Sequence, residues 1–156
     1  MPRLRLNITS KLPNGVDSPA LRRVITAIDR RTDLPDYEGS INLKLVDDAA
    51  IRALNKDYSG KDSSTDVLSF SYIEDDQPPV DGELGDIAIS FETAARQAAA
   101  AGISLVDEVG LLLAHGTLHI LGLDHANVSE QSELDRLQAA IMTAAGLTDR
   151  EFKWVS

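Results

Sequence analysis

The 156-residue chain contains no cysteine. Disulfides and thiolate ligands are therefore excluded, and any transition-metal site must use histidine or carboxylate. Aromatic residues are scarce at 4%, so the core must be mainly aliphatic. No apolar run approaches the roughly 20 residues of a membrane span. Met1-Pro2-Arg3-Leu4-Arg5-Leu6 alternates charged and apolar residues and lacks the apolar core of a signal peptide. The expected compartment is the cytosol, without a membrane partner, and the missing cysteine fits a reducing one.

Bases are outnumbered by acids, and the formal net charge is -10. That balance counts mildly against broad neutralisation of nucleic-acid phosphates. It is uneven, however. Residues 1–31 hold seven bases against two acids, a balance of +5, which leaves -15 for the rest. A basic stretch on an acidic body is either a solvated helix face, the favoured reading, or a patch for RNA.

What is present is ordinary for a globular protein, with 43% hydrophobic and 26% charged residues. The length suits one domain over 1–156. Residues 3–9, 40–46, 67–72 and 84–90 read as strands, the last two forming a long-looped hairpin. Helices are expected over 18–32, with Ser18 as cap and Pro19 at the first position, and from Asp47 or Asp48 to about Asp57. Tyr58 to Ser64 reads as a polar loop. Further helices are expected over 91–101, from Ser104 to Leu121, and from Asn127 or Ser129 to Ala145. The expected fold class is α/β with α+β character: one domain with a mixed sheet of about four strands and about five helices. From Val109 to Leu121 the pattern is apolar on nearly every face, which predicts a central buried helix.

The scarcest titratable residue is the most informative. The chain has three histidines, and His115, His119 and His125 fall within eleven residues. Four-residue spacing puts His115 and His119 on one helix face, one turn apart. Gly122 can end the helix in the left-handed conformation and return His125 as a third ligand. Three imidazoles with an open fourth position describe one catalytic Zn²⁺ ion better than a structural one, with Ni²⁺, Cu²⁺ or Fe²⁺ as possible substitutes. Such an ion activates water or polarises the group under attack.

The same spacing occurs in metzincin metalloproteases, whose general-base Glu directly follows the first His. Here that position is Gly116, which cannot take a proton, so peptide hydrolysis is disfavoured. A glycine inside a helix costs about 1 kcal/mol against alanine, which implies tight packing or substrate beside His115. Asp124 is the candidate catalytic residue. The alternative, which is favoured, is that it orients an imidazole by accepting its N–H.

The stretch His115-Gly116-Thr117-Leu118-His119-Ile120-Leu121-Gly122-Leu123-Asp124-His125 resembles the signature of the YbeY family, zinc-dependent endoribonucleases of ribosomal RNA maturation. Leu54-Asn55-Lys56-Asp57-Tyr58, Lys61-Asp62, Thr65-Asp66-Val67-Leu68-Ser69-Phe70 and Leu84-Gly85-Asp86-Ile87 extend the resemblance over about residues 40–147. The resemblance implies zinc on the three histidines and a single-strand-specific endoribonuclease. Its substrate would be small-subunit ribosomal RNA near the 3′ end, with a role in ribosome quality control. The small ribosomal subunit and its proteins are the implied partners, and the protein is expected to be a monomer.

The family usually carries Arg after the tyrosine, where this chain has Ser59. An Arg would grip phosphate with a charged fork. Lys61 or a basic residue of the first helix must replace it, or phosphate binding is weaker. Ser59 and Lys61 are thus the candidate substrate-binding positions. Asp66 and Ser69 read more simply as a turn cap and an outward strand residue. Ser71 replaces a family proline, an expected minor change. The alternative function is a non-catalytic, zinc-stabilised ribosome-assembly or RNA-binding factor.

Overall fold

Two alternating strands begin the chain's core. In β1 (Leu4–Ile8) Leu4 and Leu6 turn inward, and in β2 (Gly39–Val46) Ile41, Leu43 and Leu45 do the same. The computed structural model describes residues 3–123 and 131–149. Within them, α1 (Ser18–Asp29) links β1 to β2. Then come α2 (Asp48–Ser59), β3 (Val67–Ser71), β4 (Glu83–Ser90), α3 (Phe91–Ala101), α4 (Leu105–Ile120) and α5 (Gln131–Ala144). The four strands form one sheet in the order β1-β2-β4-β3. β1 and β2 pair in parallel, as do β2 and β4, while β3 returns antiparallel to β4. This is the expected mixed α/β architecture. The start expected for the last helix, Asn127 or Ser129, lies outside the described residues.

α4 is the central element and packs against α1, α3, α5, β3 and β4. Leu111, Leu112, Leu113, Ala114 and Leu118 have no exposed surface, as its apolar circumference predicts. Full burial of each leucine contributes about 1.5–3 kcal/mol. Three glycines set the closeness of this packing. A Cβ at Gly85 would lie 2.5 Å from the carbonyl oxygen of Phe70 and 2.7 Å from Ile120 Cδ1. One at Gly110 would meet Leu147 at 2.6 Å, and one at Gly116 would meet Ile87 at 3.1 Å.

Two helix ends differ from the sequence reading. Asp17, not Ser18, caps α1, accepting from Ala20 N at 3.2 Å. Both residue types cap well, and Pro19 suits the second helical position as well as the first. α1 also stops at Asp29, three residues before the expected end. α2 continues through Tyr58 and Ser59, which the sequence placed in a loop. Gly60, at φ 75°, ends it with its N–H on the carbonyl of Lys56. The left-handed glycine is the stop, and the polar residues before it complete the last turn.

α2 and α3 brace each other by their first turns. Glu92 accepts from Asp48 N at 2.8 Å, while Asp48 Oδ1 accepts from the hydroxyls of Ser90 and Thr93 at 2.5 and 2.6 Å. Those two hydroxyls, with Arg96 on the other oxygen, hold the Asp48 carboxyl at about 2.

Most of the basic N-terminal surplus is committed to the fold. Arg22 and Arg23 donate to the carbonyls of Leu6 and Ala145, and Arg3 and Arg31 pair with Asp36 and Asp33.

Candidate functional site

The first two predicted ligands sit on a rigid support. His115 and His119 lie in the last two turns of α4, His115 half-buried and His119 exposed. Side chains four apart have Cβ atoms about 5–6 Å from each other, a separation one ion can bridge. Ser104 fixes the other end of the helix, its hydroxyl accepting from Asp107 N at 3.3 Å. Gly116 owes its place to packing: Ile87 of β4 fills the space where a side chain would stand. Of the two explanations offered by the sequence, close helix–sheet contact holds.

The helix ends as its sequence implies. Gly122 is left-handed at φ 95°, its N–H donates to His119 O at 3.0 Å, and Leu123 N–H donates to Leu118 O at 2.9 Å. These two bonds form a Schellman motif, which reverses the chain. Asp124 and His125 lie outside the described residues. Among the described residues no three histidine, aspartate or glutamate side chains converge on one point. The donor set present, two imidazoles one turn apart before a chain reversal, fits a metal completed by a third ligand from beyond the turn.

The histidine flank of α4 lies away from α1 and α5. Gly110 meets Val24 of α1 and Met142 of α5. At 3.6 residues per turn, His115 and His119 lie on the opposite flank. Met142 is buried in α5, in keeping with the reading that it forms no Met-turn.

β3 alternates across the sheet. Ser69 pairs with Ile87 and shares its α4-facing side. Ser71 donates to the carbonyl of Ile120 at 2.9 Å. The substitution for proline is therefore more than a minor change at a strand end, because it gives the last turn of α4 a partner that proline cannot supply. Asp66 accepts from Gln97 Nε2 at 3.3 Å, a structural contact.

The substrate-binding candidates differ from each other. Ser59 is exposed, but its hydroxyl is engaged within α2, on the backbone carbonyl and Oδ1 of Asn55 at 2.7 and 2.6 Å. Asn55 is buried and donates to Ser63 O at 3.0 Å, so it shapes the loop into β3. Lys61 is exposed in that loop, where Arg52 pairs with the neighbouring Asp62.

The opposite face of the sheet carries a polar ladder that sequence reading missed. Asn7 Nδ2 donates to Asn42 Oδ1 at 3.1 Å, and Asn42 Nδ2 donates to Glu83 Oε2 at 2.7 Å and Asp86 Oδ1 at 2.9 Å. The Tyr72 hydroxyl donates to the other Asp86 oxygen. That bond to the carboxylate, with partial burial, pushes the Tyr72 phenol up to about 12. Alternation in β2 puts Asn42 and Lys44 on one face, but it does not say which strands lie beside them.

Residues 10–146 match the family model for YbeY, described as endoribonuclease YbeY. A protein of Rhodospirillum rubrum named endoribonuclease YbeY is 47% identical over 113 residues, which are 70% of this chain and 56% of that one. The Geobacillus kaustophilus protein of the same name is 40% identical over 138 residues, 82% of this chain and 86% of that one. The Clavibacter michiganensis protein, also so named, is 36% identical over 153 residues, 94% and 99% of the two. Among solved structures, TM1509 from Thermotoga maritima shares the fold with a TM-score of 0.60 and 21% identity, covering 92% of this chain and 89% of that one.

Proposed function

The chain belongs to the YbeY family, and from that membership we propose that it is a single-strand-specific endoribonuclease of ribosomal RNA processing. Its task is maturation of the small-subunit RNA 3′ end and ribosome quality control, in the cytosol and in contact with the small subunit. The observation that carries the reading is the His115–His119 pair, fixed one turn apart on a buried helix that ends in a reversing turn. His115, His119 and His125 would hold one zinc ion, which would supply Lewis-acid activation of the nucleophile and charge neutralisation at the phosphoryl oxygens.

The protein's own groups do the positioning. Leu112, Leu113 and Leu118 anchor α4 so that both imidazoles are fixed before substrate arrives. Asp124 orients a ligand imidazole or accepts a proton during the reaction. Lys61 is the cation nearest in sequence to the position where the family has Arg, and it takes an RNA phosphate. Ser59 contributes to the loop's shape through Asn55 and not to phosphate binding.

The purified protein with zinc is expected to cut single-stranded RNA, and chelation or His119→Ala is expected to abolish cutting. Uncut RNA under nuclease-free controls, with His119→Ala affecting stability alone, overturns the reading. The engagement of the Ser59 hydroxyl by Asn55, where the family has Arg, favours a second reading, a zinc-stabilised RNA-binding factor without catalysis. In that case chelation lowers Tm by linkage, and Ser59→Arg creates cleavage where the wild type has none.

A further inference from the structure

The face of the sheet opposite α4 carries a pocket of about 480 Å³, walled on one side by Leu54 and Tyr58 of α2, within the range of small-ligand sites. Its floor is the ladder of Asn42, Glu83 and Asp86. Both hydrogens of Asn42 Nδ2 and both oxygens of Asp86 are engaged there, while Glu83 Oε1 has no partner among the described residues. Lys44 lies two residues along β2 from Asn42, about 7 Å by strand rise, on the same face. It makes no ion pair among the described residues.

One side of the pocket is aromatic. Tyr58 and Phe70 have ring centroids 4.5 Å apart, and Tyr58 is 68% exposed. With Tyr72, three of the seven aromatic side chains in the sequence line this one pocket. Tyr58 and Tyr72 leave ring surface exposed, a platform on which a flat partner can stack.

The charges narrow the ligand. Inorganic phosphate would satisfy Lys44 but meet the Glu83 and Asp86 carboxylates. A simple cation would satisfy the carboxylates but meet Lys44. A flat ring with an anion at one end and N–H donors at the other satisfies all three, and such a molecule is a nucleotide with an amino-bearing base. Guanine offers two adjacent donors, whereas uracil has one imino N–H and no amino group.

We propose that this face binds one nucleotide of the RNA, its base on Tyr58 and Phe70, its amino edge on Glu83 and its phosphate on Lys44. The RNA source rests on the ribonuclease reading above; the nucleotide chemistry does not. β3 carries residues of both faces at this edge of the sheet. Phe70 and Tyr72 line the pocket, and Ser69 and Ser71 face α4. A strand of RNA crossing the β3 edge places a base in the pocket and its chain beside the histidine flank.

The test is titration of the full chain, followed by backbone-amide NMR, with GMP, guanosine, UMP and a short RNA containing an internal guanine. GMP is expected to shift the amides of Asn42, Lys44, Phe70 and Asp86, and to bind at least ~5-fold more tightly than UMP. Tyr58→Ala is expected to weaken GMP ~5-fold or more, and Glu83→Gln to weaken GMP more than UMP. Lys44→Ala is expected to weaken GMP and leave guanosine unchanged. Unshifted amides on β2 and β4, or equal affinity for GMP and UMP in the wild type, overturn the proposal. An RNA that fails to displace GMP assigns the pocket to free nucleotides and overturns the RNA assignment. Cleavage of RNA without GMP binding here overturns the pocket alone. GMP binding by a protein that never cuts RNA overturns the nuclease reading and leaves the nucleotide class standing.

Discussion

The two faces of the sheet obey the same alternation and come to opposite ends. Toward α4 the inward positions are aliphatic or glycine except for Ser69 and Ser71 on β3, and a single added methyl at Gly85 or Gly116 meets another atom. Toward the other side the same strands present Asn7, Asn42 and Asp86, which bond across the strands, and Lys44, which makes no ion pair among the described residues, and a pocket is left open. The packed side holds ligand groups still. The open side holds polar groups by bonding them to one another, leaving a few ligand-binding atoms unengaged. Precise placement thus comes from sterics on one face and from hydrogen-bond exhaustion on the other.

Mutations separate these two sources of order. The largest effect is expected from Gly85→Ala, because its new methyl meets backbone on β3 and a fully buried side chain of α4. A loss of about 3 kcal/mol in chemical denaturation is expected, and wild-type stability would show that the packed face can yield. Gly116→Ala should cost less, about 1–2 kcal/mol, since relief of the helical glycine offsets part of the overpacking. Zinc affinity, read by competition with a chromogenic chelator, should fall with it as α4 lifts from Ile87.

On the open face, Asn42→Ala leaves Glu83 and Asp86 without their shared donor. A loss of about 1 kcal/mol is expected, with zinc affinity unchanged. If zinc affinity fell, the two faces would not be independent. Tyr72 should ionise near pH 12 in an ultraviolet titration, above the ordinary 10.0. Its bond favours the protonated phenol, so the associated stability is full below pH 10 and is lost as pH rises toward 12. Tyr72→Phe should remove that late phase.

The smallest effect belongs to Asp48, remote from both faces. Its carboxyl lies at about 2 instead of 3.8. The stability it adds is therefore complete above about pH 4 and lost as pH falls toward 2. Asp48→Asn should flatten stability against pH over that interval, and an unchanged acid limb would refute the assignment.

Sequence legibility followed the range of the interactions. The buried α4, the paired imidazoles on one flank and the Gly122 reversal are local patterns and were readable directly. Ser59 was misplaced into a loop because Tyr58, Ser59 and Gly60 look like loop residues singly, while the left-handed Gly60 makes the first two a helix end. The pocket was illegible for a different reason. Asn7, Asn42, Glu83 and Asp86 carry no shared spacing, and only the order β1-β2-β4-β3 brings them together.

The bond from Ser71 to Ile120 joins residues 49 apart in the chain. It fastens the end of the histidine helix to the edge strand of the sheet, so a change that frees β3 also frees the last turn of α4.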